Sequence, residues 1–132
     1  FAAFAAECKH TLIYNGDILT LQDIEQIEAR FPTLDGIMIG RGLLANPALG
    51  IEYKQRKVLT DKELCERVQA MHDAMYQAMS PRLQGNTQLL SKMVPYWEYL
   101  MPKMEKRYRK AILKANSADK FMQAVNCALA NY

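Results

Sequence analysis

Cysteine is scarce and scattered. Cys8, Cys65 and Cys127 are the only three in 132 residues. An odd number, far apart, with no CxxC pair and no histidine at ligand spacing, indicates neither a disulfide framework nor a zinc site. Histidine occurs twice, as His10 and His72, and both read as structural or surface residues. Long apolar runs are missing as well. None approaches the roughly 20 residues of a membrane span, and the first ten residues have no basic start and end in charge, which is not the pattern of a secretory leader. A soluble, cytoplasmic protein that touches neither membrane nor metal is the expectation. No nucleophile or general base can be assembled with partners, so no residue is assigned a catalytic role. Phe1 in place of a methionine suits a processed chain or a piece of a longer one.

What is present is a well-stocked core and an uneven charge. Half of the residues are apolar, enough for a packed interior at this length. The net charge of +3 hides a division: residues 1–56 hold five Lys/Arg against seven Asp/Glu, whereas residues 57–132 hold twelve against seven. The basic character belongs to the second part, and the chain divides there into two expected domains, 1–56 and 57–132.

The first part alternates between helix and strand. Phe1 to Glu7 reads as the end of a helix, and Thr11 to Tyr14 as a short β-prone run stopped by Asn15-Gly16-Asp17. Thr20 can cap a helix with Leu21, Ile24 and Ile27 on one face, which ends near Arg30 before Phe31-Pro32. Gly36 to Ile39 is a second apolar strand running into Gly40-Arg41-Gly42. Two such strands joined by one amphipathic helix form a parallel βαβ unit. Both are apolar throughout, the pattern of strands covered on both faces, as in a barrel or a doubly wound sheet. The loops after them lie at equivalent C-terminal strand ends, where α/β folds bind ligands. Glycine lets backbone approach a ligand, and Arg41 can grip a phosphate at two points. The same residues also suit plain tight turns with a solvated arginine.

From Thr60 onward only helices are expected. Thr60 and Glu63 form a capping box ahead of Leu64, Val68, Met71, Met75 and Met79, a helix that stops at Pro81. A second helix follows Gly85-Asn86, divided at Pro95 and ended by Pro102. The third spans Lys103 to Lys114, and the last is capped at Asn116 or Ser117. Residues 46–59 are left as a connector. The methionines at helical spacing read as core, and Trp97 as the central packing residue. Lys103, Lys106, Arg107, Arg109, Lys110 and Lys114 put six cations in twelve residues against Glu105 alone, with Tyr108 among them. Arg82 and Lys92 extend the patch. Such a stripe matches a nucleic-acid backbone, and an exposed aromatic suits an unpaired base. A solvated helix face is the plain alternative, and an anionic membrane surface a weaker one.

The run Leu12-Ile13-Tyr14-Asn15-Gly16-Asp17-Ile18, followed by Asp35-Gly36-Ile37-Met38-Ile39-Gly40-Arg41-Gly42-Leu43-Leu44-Ala45-Asn46-Pro47, resembles the signatures of the last two barrel strands in the tRNA-dihydrouridine synthase family. The likeness is close over residues 11–47 and looser over the helices. It implies a fold made of strands 7 and 8 of a TIM barrel followed by an all-α helical bundle. It also implies FMN as cofactor, NADPH as reductant and tRNA as the substrate whose uridine becomes dihydrouridine. Asn15, Gly16, Asp17, Gly40 and Arg41 are thereby implied to line the FMN site, the last two at its phosphate. The family's cysteine acid and flavin-ring residues come from earlier strands that these 132 residues do not include, and Cys8 reads as a small, partly buried thiol. The chain alone is therefore expected to be inactive, with self-association covering the incomplete barrel segment. Two other readings stand beside this one: an RNA-binding helical module without catalysis, and a fragment of another FMN barrel such as a dihydroorotate dehydrogenase.

Overall fold

The computed structural model describes residues 1–132. It opens with helix α1 (Ala2–Glu7), strand β1 (Ile13–Asn15), helix α2 (Leu21–Arg30) and strand β2 (Gly36–Met38). The strands pair in parallel, with Ile13 opposite Gly36, Tyr14 opposite Ile37 and Asn15 opposite Met38. The expected helix–strand alternation is present, although β1 starts later than the apolar run suggests and takes in Asn15. Thr20 caps α2 reciprocally: its hydroxyl accepts from the Asp23 amide at 3.2 Å while the Asp23 carboxylate accepts from the Thr20 amide at 2.9 Å. This satisfies two donors that a helix start otherwise leaves orphaned.

Alternation along a strand sends neighbouring side chains to opposite faces. Tyr14 and Ile37 turn toward a small cluster built on Ile18, Ile24 and Leu49. Ile13 and Met38 share the other face and are 56% and 58% exposed. Continuous apolar strands predict cover on both faces; within this chain α2 and its neighbours cover one.

Two short helices follow, α3 (Arg41–Ala45) and α4 (Leu49–Gln55). The second corrects the expectation of a plain connector over 46–59. It starts without a capping side chain at its own N-cap; instead Asn46 Oδ1 accepts from the Ala48 amide at 2.9 Å. Asn46 Nδ2 also donates at 2.9 Å to Glu52, a buried carboxylate that takes a second bond, of 2.9 Å, from the Leu59 amide. Tyr53 donates its hydroxyl to Glu28, and Arg56 reaches the same carboxylate at 3.0 Å, so α4 is latched to α2. The Tyr53 hydroxyl first, and Arg56 second, hold Glu28 below its usual 4.5.

The second part consists of α5 (Asp61–Met79), a 3-10 turn (Ser80–Arg82), α6 (Gly85–Met93), a 3-10 segment (Val94–Glu98), α7 (Lys106–Leu113) and α8 (Ala118–Ala130). Thr60 and Glu63 form the expected capping box. Helix α6 tightens into 3-10 geometry just before Pro95, whose missing amide cannot continue the α ladder. Trp97 is 1% exposed at the centre of an eleven-residue core that includes Val68, Met93, Met101, Met104, Phe121 and Val125. Met71, Met75 and Met79 pack against it. Helix α7 starts at Lys106 and not at Lys103, because Met101 has a positive φ of 50° and Pro102 follows it, leaving a turn before the N-cap at Glu105. Ser117, the second of the two candidate caps, accepts from the Lys120 amide at 3.3 Å. One backbone bond, Met101 N–H to the Ala45 carbonyl at 2.9 Å, ties α3 to this core. No helix is long and apolar enough to cross a membrane.

Candidate functional site

The parallel pairing brings the loops after β1 and β2 to the same end of the sheet. Asn15 closes β1, and Gly16-Asp17 turn tightly, with the Ile18 amide on the Gly16 carbonyl at 3.0 Å. Gly40 is the N-cap of α3 and Arg41 its first residue. Across the gap Arg41 Nη2 donates to Asp17 Oδ1, and both side chains are largely exposed. Four of the five residues implied to line a cofactor site are thus held within two facing loops by one ion pair, with Asn15 at the strand end beside them.

Gly42 belongs to the loop read from the sequence but not to the implied cofactor lining, and its role is in packing. It is buried, and a Cβ there would run into the Ile18 carbonyl oxygen. The two loops therefore dock backbone to backbone, which only glycine permits at that contact. The spaced pair Gly40-Arg41-Gly42 carried the signal, but the roles divide: Gly42 packs inward, while a Cβ on Gly40 would meet nothing within 4 Å. Gly40 faces open space next to an exposed guanidinium. Only Nη2 of Arg41 is engaged, so its remaining N–H groups are free for an anion. Asn46, at the end of the same sequence run, does not join the loops; it builds α4.

The predicted cationic residues separate into three groups. Lys106, Lys110 and Lys114 lie at four-residue spacing and share one exposed side of α7 and its C-cap. None of them takes part in an ion pair, and neither do Lys103 in the preceding turn, Lys92 in the last turn of α6 or Arg82 in the 3-10 turn, all exposed. Arg107 is partly spent: it pairs with Glu105 at 2.8 Å, and its guanidinium lies 4.6 Å from the centroid of the Tyr108 ring. Arg109 turns the other way. It donates to the carbonyls of Trp97 at 2.5 Å, Leu100 at 3.0 Å and Met101 at 2.6 Å, and more weakly to Glu98 at 3.4 Å. It stands apart from the exposed cations and closes the turn that leads into α7.

The remaining candidates fall into place by burial. His10 is exposed; His72 is 2% exposed, between the Trp97 and Phe121 rings. Cys8 is partly buried, its thiol 3.6 Å from the His10 carbonyl oxygen. No group of three or more His, Cys, Asp or Glu side chains is placed to hold a metal ion.

No curated protein matches the chain. The family model for dihydrouridine synthase (Dus) matches residues 4–132, nearly the whole length and both the strand and the helical parts. The chain belongs to the dihydrouridine synthase family.

Proposed function

We propose that the chain is the C-terminal part of a flavin-dependent tRNA-dihydrouridine synthase, with β1 and β2 as strands 7 and 8 of an FMN-binding barrel and the basic helices as its tRNA-holding surface. The observation that carries this reading is the pairing of the two loops: parallel strands deliver Gly16-Asp17 and Gly40-Arg41 to one end, where barrels of this kind place a phosphate site. The donor set fits a phosphate, because an exposed guanidinium with free N–H groups stands beside a glycine that leaves space for the ligand. FMN bound there would supply the hydride that reduces uracil, with NADPH as its source. Arg41 would hold the phosphate, Asp17 would keep the guanidinium aimed across the loops, and Asn15 would stand where the sheet meets the ligand. Lys106, Lys110 and Lys114, unpaired along one helix side, would follow the RNA backbone.

A second reading, an RNA-binding module without chemistry, is favoured by the separate core of α5–α8. One experiment addresses both. The full-length parent is supplied with tRNA lacking dihydrouridine, FMN and NADPH, alone and as Arg41→Ala or Lys106→Glu/Lys110→Glu. We expect dihydrouridine in the parent, weakened FMN binding with normal tRNA binding for Arg41→Ala, and the converse for the charge reversals, whose salt slope falls by about 1 to 2. A parent that binds FMN yet leaves the tRNA unreduced would overturn the substrate assignment, while RNA binding without flavin would establish the module.

A further inference from the structure

On the outer side of the α7–α8 pair the packing leaves a furrow. Ile112, Phe121, Val125 and Ala128 face the core, whereas the outward flanks present Ala111 on α7, Ala115 in the linking turn and Ala124 on α8. Their short side chains leave an open groove of about 480 Å³, inside the range of roughly 300–1,000 Å³ typical of small-ligand sites. Lys114 and Lys120 stand at its rim, Tyr108 at its border, and none of its nine lining residues is acidic. Two amides, Asn116 and Gln123, complete the wall; each offers both a donor and an acceptor, and Lys120 Nζ donates to Asn116 Oδ1 at 3.2 Å.

We propose that this groove holds one unpaired nucleotide of a bound RNA, an inference that rests on the RNA-binding reading of the basic helices. An apolar floor suits the face of a base, amides suit its edge, and lysines suit the flanking phosphates. A paired base cannot enter, because its faces are stacked and its edge is already bonded. Lys106 and Lys110 continue the positive charge along α7 toward the helix start, which gives a strand leaving the groove a path to follow. The groove therefore selects unpaired RNA, while the rest of the helix face binds any backbone.

Cys127 lines the groove, is exposed, and serves as a reporter. The test uses the chain of residues 1–132 with a single-stranded uridine oligomer of about ten nucleotides and with a fully paired RNA hairpin, binding being measured on the same samples. Alkylation of Cys127 by iodoacetamide, followed by mass spectrometry, should slow by about fivefold or more under the single strand and remain unchanged under the hairpin. The substitution Ala111→Met fills the floor at an exposed helical position with a good helix former. It should weaken single-strand binding by about fivefold or more and spare the hairpin. Bound single strand with Cys127 reacting at its free rate, or equal protection by the hairpin, overturns the assignment. If the unsubstituted chain binds neither RNA, the RNA-binding reading of the helices fails first and the groove proposal with it.

Discussion

His72 is the one ionisable side chain placed at the heart of the helical core. Its rings of contact are the Trp97 indole at 5.6 Å and the Phe121 phenyl at 5.3 Å between centroids, and its Nε2 lies 3.1 Å from the Met122 sulfur. Burial pushes the imidazole below its ordinary 6.5, and Asp73 pulls it back only in part. The folded chain thus binds the proton more weakly than the unfolded one, and protonation favours unfolding. Stability contributed by neutral His72 is complete above the ordinary value and declines as pH falls through 6.5 toward the depressed one. Carboxylates held low by hydrogen bonds, Asp23 chiefly by the Leu19 amide and Glu63 by the Thr60 amide, lose their contribution only below 3.8 and 4.5 respectively. Urea unfolding followed by the fluorescence of Trp97, the single tryptophan, should show a lower midpoint at about pH 5 than at pH 7.5, and His72→Met should flatten the difference. An equal midpoint at both values would mean that the folded chain takes up the proton on His72 as readily as the unfolded one. The sequence held the signal for this residue: His72 lies four positions after Val68, one helical turn along the same buried stripe. Its aromatic neighbours, some 25 and 49 positions away, were not legible.

Between elements, the joints that local rules describe were legible and those made by tertiary contact were not. The cap at Thr20 and the capping box of Thr60 and Glu63 were readable from residue type and spacing, while the reciprocal bond from Asp23 that makes the first cap a box came from the structure. The division at Pro95 follows from its missing amide, whereas the segment after it already ends at Glu98, ahead of the Pro102 at which the sequence placed the stop. Helix α4 was hidden, since Gly50 sits inside it and its start is organised by Asn46 and the buried Glu52. The paired loops were readable as a candidate site because their residues are local to each strand end, but the Asp17–Arg41 link and the burial of Gly42 against Ile18 depend on two segments meeting. The six-cation run concealed a division of labour. Arg109 lies three positions before the buried Ile112, on the inward side of α7, and its guanidinium holds four carbonyls from the end of the 3-10 segment at Trp97 to the left-handed Met101. A peptide segment in that conformation cannot satisfy those carbonyls within a regular helix. Arg109→Ala should therefore cost about 2–3 kcal/mol, seen as an earlier urea midpoint, and Arg109→Lys should recover less than half of it because an ammonium lacks the planar fork. An unchanged midpoint in Arg109→Ala would show that water replaces the guanidinium there.

At the scale of the whole molecule the two parts differ in how well they close. Eleven buried residues form one core under α5–α8, and three form the cluster under the sheet. A two-stranded sheet with one covered face is marginal in water, and its open face shows Ile13 and Met38, with Leu19 also 51% exposed nearby in sequence. The outer edges of both strands are unpaired as well, a template for pairing with another chain. Exposed apolar side chains of this kind favour association, whereas the basic helices, carrying like charge on every copy, oppose it. The apolar term acts at contact and survives salt; the repulsion between exposed lysines is screened beyond roughly 10 Å at 0.1 M. Association should therefore strengthen as salt rises. Sedimentation equilibrium of residues 1–132 should show a mass above that of the 15.1 kDa chain that grows with protein and salt concentration, and Ile13→Lys/Met38→Lys should restore the monomer. The helical core should be untouched by those changes, with the Trp97 unfolding transition of the double variant matching that of the parent chain. A monodisperse monomer at every salt concentration would mean that cover on the Tyr14 side, where the Phe1 ring meets Tyr14 edge-on at 5.0 Å and Phe31 at 5.1 Å, is all that the sheet requires, with Ile13 and Met38 left in water.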